Sequence, residues 1–276
     1  MKHKKRNTII LSGVLLIATI CTLITVIVFK HNKKEIAAAE QFVDRLYQNN
    51  MIEIDDYDKI KYTSTKQADG LNSKGFYYIT TSNFDIYVND DYTVKGFTNR
   101  IEKVGVTEVS FEKAKEIAEK YLDIIVADEV AFKSYEKEDS NVNYYSFVFK
   151  KYKEGYPFYT DEIIINIDKS KGLLDGYSNY SSQGEPSPVE IVAEQNDAEQ
   201  TAIDKFLELN KEAGLLEITS KAYVTSKDGT ECELCYIITI GGKDLDNKET
   251  KHKYFVSTKT GEIINEAKDN VNITTS

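Results

Sequence analysis

At 276 residues the chain has room for one large domain or several small ones, and its 45 acidic against 35 basic side chains exclude a nucleic-acid binder. With three histidines and three cysteines, few routes remain to a Ser-His-Asp set, a Cys-His set or a His-liganded zinc. Tyrosine is abundant at 19 residues and tryptophan is absent, so tyrosine carries much of the aromatic surface.

In chain order, the first feature is an uncharged run from Thr8 to Phe29, TIILSGVLLIATICTLITVIVF. At about 1.5 Å per residue it is long enough to cross a hydrocarbon core of about 30 Å, so residues 8–29 read as a transmembrane helix after a short tail, residues 1–7. A cleaved signal peptide competes, since KHKKR makes a basic leader and Ala37-Ala38-Ala39 resembles a cleavage site. The apolar run is too long for that reading, and Lys30, Lys33 and Lys34 separate it from the alanines. Cys21 lacks the small preceding residue of a lipoprotein cysteine, because Ile20 stands there. From Lys30 onward, 31 basic residues face 45 acidic ones, a formal charge of −14. Such a body is repelled by anionic headgroups, which places the N-terminus in the cytoplasm and the rest outside, single-pass in the cell membrane.

Three helices are predicted, each followed by Tyr- and Ile-rich alternating strands. The first, EIAAAEQFVDRLYQNN, puts Ile36, Ala39, Val43, Leu46 and Tyr47 on one face. The second follows Ser110 as N-cap and carries Phe111, Ala114, Ile117, Ala118, Tyr121, Leu122 and Ile125. The third starts at Asp197, with Gln200 in a capping box, Ala202, Ile203, Phe206, Leu207 and Leu209 on its buried side, and Gly214 at C′. Strand alternation such as Tyr145, Phe147 and Phe149 against Ser146, Val148 and Lys150 predicts sheets with one buried face. Hairpin-length turns make them antiparallel. The expected fold is α+β: a transmembrane helix, then units at 30–105, 106–182 and 197–276, with a linker at 183–196 holding Pro186 and Pro188.

One turn recurs. YFVSTKTGEII at Tyr254 to Ile264 aligns with INIDKSKGLL at Ile165 to Leu174, setting Gly261 on Gly172, Ser257 on Asp168 and Ile263 on Leu174. A weaker relative, IYVNDDYTV, lies at Ile86 to Val94. The physical content is a hairpin in which Gly supplies a positive φ.

The tract YYSFVFKKYKEGYPFYTDEIIINIDKSKGLLDGYSNY resembles PepSY-like repeats of the YcdB/YcdC type, with an aromatic strand, a GxP turn, an I-x-V-x-D segment and a Gly turn. The segment CYIITIGG to KYFVSTKTGEIIN is similar to the end of a PepSY domain, with Ser257 where that family has Asp. The resemblance implies helices packed on antiparallel sheets in membrane-anchored or secreted proteins of Gram-positive bacteria. It also implies a non-catalytic role that binds and regulates a protein partner: a secreted peptidase, a cell-wall hydrolase or a sensor kinase.

Chemistry is sparse elsewhere. Cys232 and Cys235, in CELC, lie three apart in a strand, about 10 Å from one another and beyond the reach of a disulfide unless a turn intrudes. Acidic stretches at Glu53 to Asp58, Asn89 to Asp91, and Asp244, Asp246 and Glu249 raise the alternative of an extracytoplasmic ligand- or calcium-binding sensor, but none has the EF-hand's Gly and closing Glu. His252 reads as an exposed residue at a strand start. No catalytic residue, cofactor or metal ligand is assigned. Tyr152, Tyr156, Tyr159 and Tyr180 are the candidate partner contacts, with self-association a further possibility.

Overall fold

The computed structural model describes residues 33–67, 75–101, 107–126, 128–135, 142–180, 186–225 and 232–269. The apolar run at 8–29 lies outside them, and among the described residues no helix is long and apolar enough to cross a membrane. Among the described residues, three α-helices and twelve strands follow one another as three sets of one helix and four strands. The architecture is α+β with predominantly antiparallel pairing, in two compact units.

Unit one comprises residues up to Ser110 together with Asn166–Ser178. Its helix α1 (Lys34–Gln48) buries Ala39, Phe42, Val43 and Leu46. The strands β1 (Thr63–Gln67), β2 (Phe76–Thr80), β3 (Phe84–Val88), β4 (Val94–Asn99) and β8 (Leu174–Asn179) line up in the order β1-β2-β3-β4-β8. Phe42 is the residue the predicted helix face omitted, and its ring lies 5.9 Å from those of both Phe97 and Tyr177. Tyr47, expected inside, is exposed and stacks on Tyr57 at 4.9 Å. The two lie five positions apart, about 140° around the helix, so the face that buries Phe42 leaves Tyr47 outside.

Unit two comprises Phe111–Ile165 and Asn179–Ser276. It holds α2 (Phe111–Ile125), β5 (Val130–Tyr135), β6 (Tyr144–Lys153), β7 (Tyr156–Asp168, of which residues 166–168 fall to unit one) and α3 (Gln195–Leu207). It also holds β9 (Asn210–Thr225), β10 (Cys232–Asp244), β11 (Glu249–Ser257) and β12 (Ile263–Asp269). The order is β5-β6-β7-β9-β10-β11-β12, with β7 meeting β9 in parallel at Phe158 and Tyr223. Helix α2 begins directly after Ser110 and buries Ala114, Ala118, Tyr121 and Leu122. Helix α3 closes Ala198, Ala202 and Phe206 over Tyr236, Ile238, Ile240, Tyr254 and Val256. The opposite face gathers Ala222, Val224, Cys235, Ile237 and Phe255, with Tyr159 and Ile264 against them.

Two expectations for α3 are corrected. It starts at Gln195 behind Glu194, with no side-chain cap, and it ends at Leu207. Asn210 Nδ2 donates to the Phe206 carbonyl at 2.7 Å, which satisfies an end group and stops the helix. Gly214, expected at C′, instead lies in β9 opposite Gly241, and Leu207 and Leu209 are exposed. The segment expected as a linker is held down over residues 186–193. Ser187 N–H donates to the Cys232 carbonyl, Tyr236 Oη donates to the Ala193 carbonyl at 3.0 Å, and Thr258 Oγ1 donates to the Glu190 carbonyl.

Candidate functional site

The recurring turn is the same object in both places. Gly172 has φ 73° and Gly261 φ 75°. Gly172 N–H donates to the Asp168 carbonyl and Gly261 N–H to the Ser257 carbonyl, each at 3.0 Å. The segment that leads into the preceding helix of each set joins in: Glu108 and Val109 donate to the Lys169 carbonyl, as Val192 and Ala193 donate to that of Thr258. In the weaker relative, Tyr92 at φ 66° takes the glycine's place and Asn89 N–H donates to the Thr93 carbonyl. The turns are structural devices. They fix the strands on which candidate contacts stand.

The four tyrosines singled out from the sequence have different surroundings. Tyr156 packs half-buried against Phe158, Tyr223, Cys232 and Leu234. Tyr159 belongs to another cluster: its ring meets Phe255 edge-on at 4.8 Å, and its hydroxyl accepts from Lys253 Nζ at 2.9 Å. Lys150 Nζ donates to the Tyr159 carbonyl and lies 3.5 Å from Glu162, which also pairs with Lys133. Tyr152 is half-buried, its N–H donating to the Glu129 carbonyl. Tyr180 is 65% exposed, its N–H donating to the Glu162 carbonyl.

Electrostatics tie Lys150 and Glu162 together. Burial pushes the Lys150 ammonium below its ordinary range, and Glu162 opposes that push. Burial drives Glu162 upward, but the hydrogen bond and charge of Lys133, with Lys150 alongside, outweigh it and hold the carboxyl below its ordinary value.

A surface that the sequence reading passed over lies in unit one. Pairing of β2 with β3 sets Tyr78 opposite Tyr87, and their rings meet at 5.0 Å. Phe76 lies 5.8 Å from Tyr87, and Tyr87 spreads over Gly96 of β4, where a Cβ would sit 3.2 Å from Tyr87 Cδ2. Burial and its hydrogen bond to Asp85 push the Tyr78 phenol up, and Asp85 in turn meets Arg100 Nε at 3.4 Å. Strand alternation sends Ile79, Ile86, Val88 and Phe97 to the core, so Phe76, Tyr78 and Tyr87 share the outer face. Tyr87 remains 42% exposed there. The signal was in the sequence as FYYIT and FDIYV, but only the register brings Phe76 and Tyr78 against Tyr87.

The remaining candidates have structural surroundings. Asp244 Oδ1 accepts from the N–H groups of Asp246 and Lys248, both at 2.9 Å, and these bonds hold its carboxyl below the ordinary range. Asp91 Oδ1 accepts from Thr93 N–H at 2.8 Å. Among the described residues no group of three or more His, Cys, Asp or Glu side chains is arranged to hold a metal ion. Cys232 and Cys235 are free, buried thiols whose pKa values burial raises, which suppresses the thiolate. His252, expected exposed, is half-buried with its ring edge-on to Phe206 at 5.4 Å, because β11 runs on past it and alternation turns it toward α3.

Residues 83–181 match the family model described as YcdB, YcdC repeated domain. The match runs from β3 through β8 and so includes Tyr87, Gly96, the 168–173 turn and all four sequence-selected tyrosines. Among solved structures, the Bacillus megaterium YpeB C-terminal domain is similar at 15% identity, over 87% of this chain and 97% of that chain, with a TM-score of 0.47. A search of curated proteins found no match.

Proposed function

We propose that this chain is a non-enzymatic, membrane-tethered extracytoplasmic protein whose PepSY-like repeats bind and regulate a protein partner. The observation that carries the reading is the outer aromatic face of unit one, where Phe76 and Tyr78 flank Tyr87, Tyr87 lies over Gly96, and Asp85 and Arg100 stand nearby. Rigid aromatic rings presented on a sheet, next to a charged pair, are the composition that protein interfaces favour. Tyr180 and Tyr152 are further candidate contacts. The match to a repeated domain over residues 83–181 supports a binding module, and the run from Thr8 to Phe29 supports the tether. The partner is a secreted peptidase, a cell-wall hydrolase or a sensor kinase.

The test is affinity capture from envelope extract with the detergent-solubilised full chain, comparing wild type with Phe76→Ser/Tyr87→Ser and with Tyr152→Ser/Tyr180→Ser. Loss of one enriched envelope protein in the first variant, with an unchanged circular-dichroism spectrum, is the expected result. Equal capture by wild type and both variants overturns the assignment of these faces.

A further inference from the structure

Strand β12 ends the sheet of unit two, and among the described residues no strand pairs with its outer side. An open edge of this kind offers a row of N–H and C=O groups to another strand. Inside unit one, the corresponding edge is already used. Strands β4 and β8 follow equivalent turns, and they pair antiparallel with Gly96 opposite Ser178, Phe97 opposite Tyr177 and Thr98 opposite Gly176. The bulge that skips one residue between Tyr87 and Val88 in the β3–β4 pair recurs between Phe255 and Val256 in the β11–β12 pair. Val94, Leu174 and Ile263 therefore correspond, and so do Phe97, Tyr177 and Glu266. Phe97 thus faces its own counterpart, and β4 and β8 meet around a local twofold axis.

We propose that β12 pairs with β12 of a second copy of this chain, antiparallel and centred on Ala267. The internal register, copied onto two β12 strands, would set Glu266 against its own copy, which like-charge repulsion disfavours. Centring on Ala267 instead sets Glu266 opposite Lys268 twice, once on each side of the axis. Both side chains are exposed, and Ala267 between them adds no bulk. A strictly twofold antiparallel pair must place some residue opposite itself. Among the centres from Asn265 to Lys268, Ala267 alone sets Glu266 opposite Lys268, and it places Asp269 opposite the neutral Asn265. The contact area of one strand pair is small, so the dimer is a weak, salt-sensitive one.

The experiment uses the full chain in detergent with Cys21→Ser as background, followed by sedimentation and by oxidative cross-linking of Ala267→Cys. The proposal expects a reversible dimer, a disulfide-linked dimer from Ala267→Cys and little from Glu266→Cys. It also expects Glu266→Lys to weaken the dimer about tenfold, as two attractive cross-strand pairs become repulsive, and Glu266→Lys/Lys268→Glu to restore it. A chain that stays monomeric overturns it. So does a dimer indifferent to Glu266→Lys, which would be made by the apolar N-terminal run, or a charge swap that fails to restore association. The Ala267→Cys readout is independent of the charge variants and decides the register even where one of them folds poorly.

Discussion

Ser257 stands in the β11–β12 turn where Asp168 stands in the β7–β8 turn, and each caps its turn with the same pair of bonds. Asp168 Oδ1 accepts from the N–H groups of Ser170 and Lys171, and Ser257 Oγ accepts from those of Lys259 and Thr260, both at 3.2 Å. The difference lies in the neighbour: Ser257 Oγ also donates to Glu233 Oε2 at 2.7 Å. A carboxylate at 257 would cap the turn but face Glu233 with no proton to give. Ser257→Asp is therefore expected to destabilise the fold by about 1–3 kcal/mol at neutral pH, the cost of an unsatisfied buried polar contact. Adding Glu233→Gln should recover most of the loss, as urea unfolding would show. Equal destabilisation with and without Glu233→Gln would mean that volume, and not charge, excludes Asp.

Two glycines should respond to alanine for different reasons. At Gly261 a Cβ would meet only Ala193 Cβ, at 3.6 Å, an ordinary contact, so Gly261→Ala carries mainly the left-handed backbone penalty of about 1–2 kcal/mol. At Gly242 a Cβ would lie 1.8 Å from the Glu212 carbonyl oxygen and 2.8 Å from Phe206 Cε1. Gly242→Ala must therefore part β9 from β10 or displace α3. Thermal melts should show a modest loss for the first and failure to fold cooperatively for the second; similar melting temperatures would contradict this.

The contrast shows what was legible in the sequence. The hairpin turn was, because a Gly fixed in a polar turn between alternating strands leaves a local signature, and its alignment of Asp168 with Ser257 holds to the individual hydrogen bond. Helix positions were readable to within a turn. Periodicity could not foresee that Asn210 caps α3, since an Asn in LELNKEAG fits a helical run as readily as an end. The outer aromatic face was not legible because it depends on cross-strand register: Tyr78 and Tyr87 are nine positions apart, and only the β2–β3 pairing makes them neighbours. Nor could composition distinguish Tyr159, held by Lys253 and Phe255, from Tyr180 in solvent.

His252 links stability to pH. Burial against Phe206 and Tyr254, with Lys268 reinforcing it and Glu266 opposing it, pushes the imidazole below its ordinary 6.5. The folded state therefore binds a proton less readily than the unfolded chain, and stability is complete above that value and falls as pH drops from 6.5 toward the lowered folded value. Carboxylates begin to titrate near pH 4–5, so the window to examine is about pH 5 to 6.5. His252→Phe should flatten urea-derived stability across that window; an unchanged slope would place the dependence elsewhere.

Lys150 and Glu162 should be unequal partners. Lys150 is the more enclosed, with 15% of its side chain exposed against 29% for Glu162, and Glu162 also has Lys133. Glu162→Gln leaves the Lys150 ammonium without its countercharge in a place that burial already makes unfavourable for charge, whereas Lys150→Met removes that charge and leaves Glu162 paired with Lys133. Breaking such a pair from the carboxylate side is expected to cost about 1–3 kcal/mol after allowance for partial exposure, and removing the lysine appreciably less. Lys150→Met/Glu162→Gln should then be more stable than Glu162→Gln alone, since the uncompensated charge is gone. Chemical denaturation of the three variants measures the order directly. If Lys150→Met proves the most damaging, the bond from Lys150 to the Tyr159 carbonyl, and not the ion pair, holds β6 to β7 at this point.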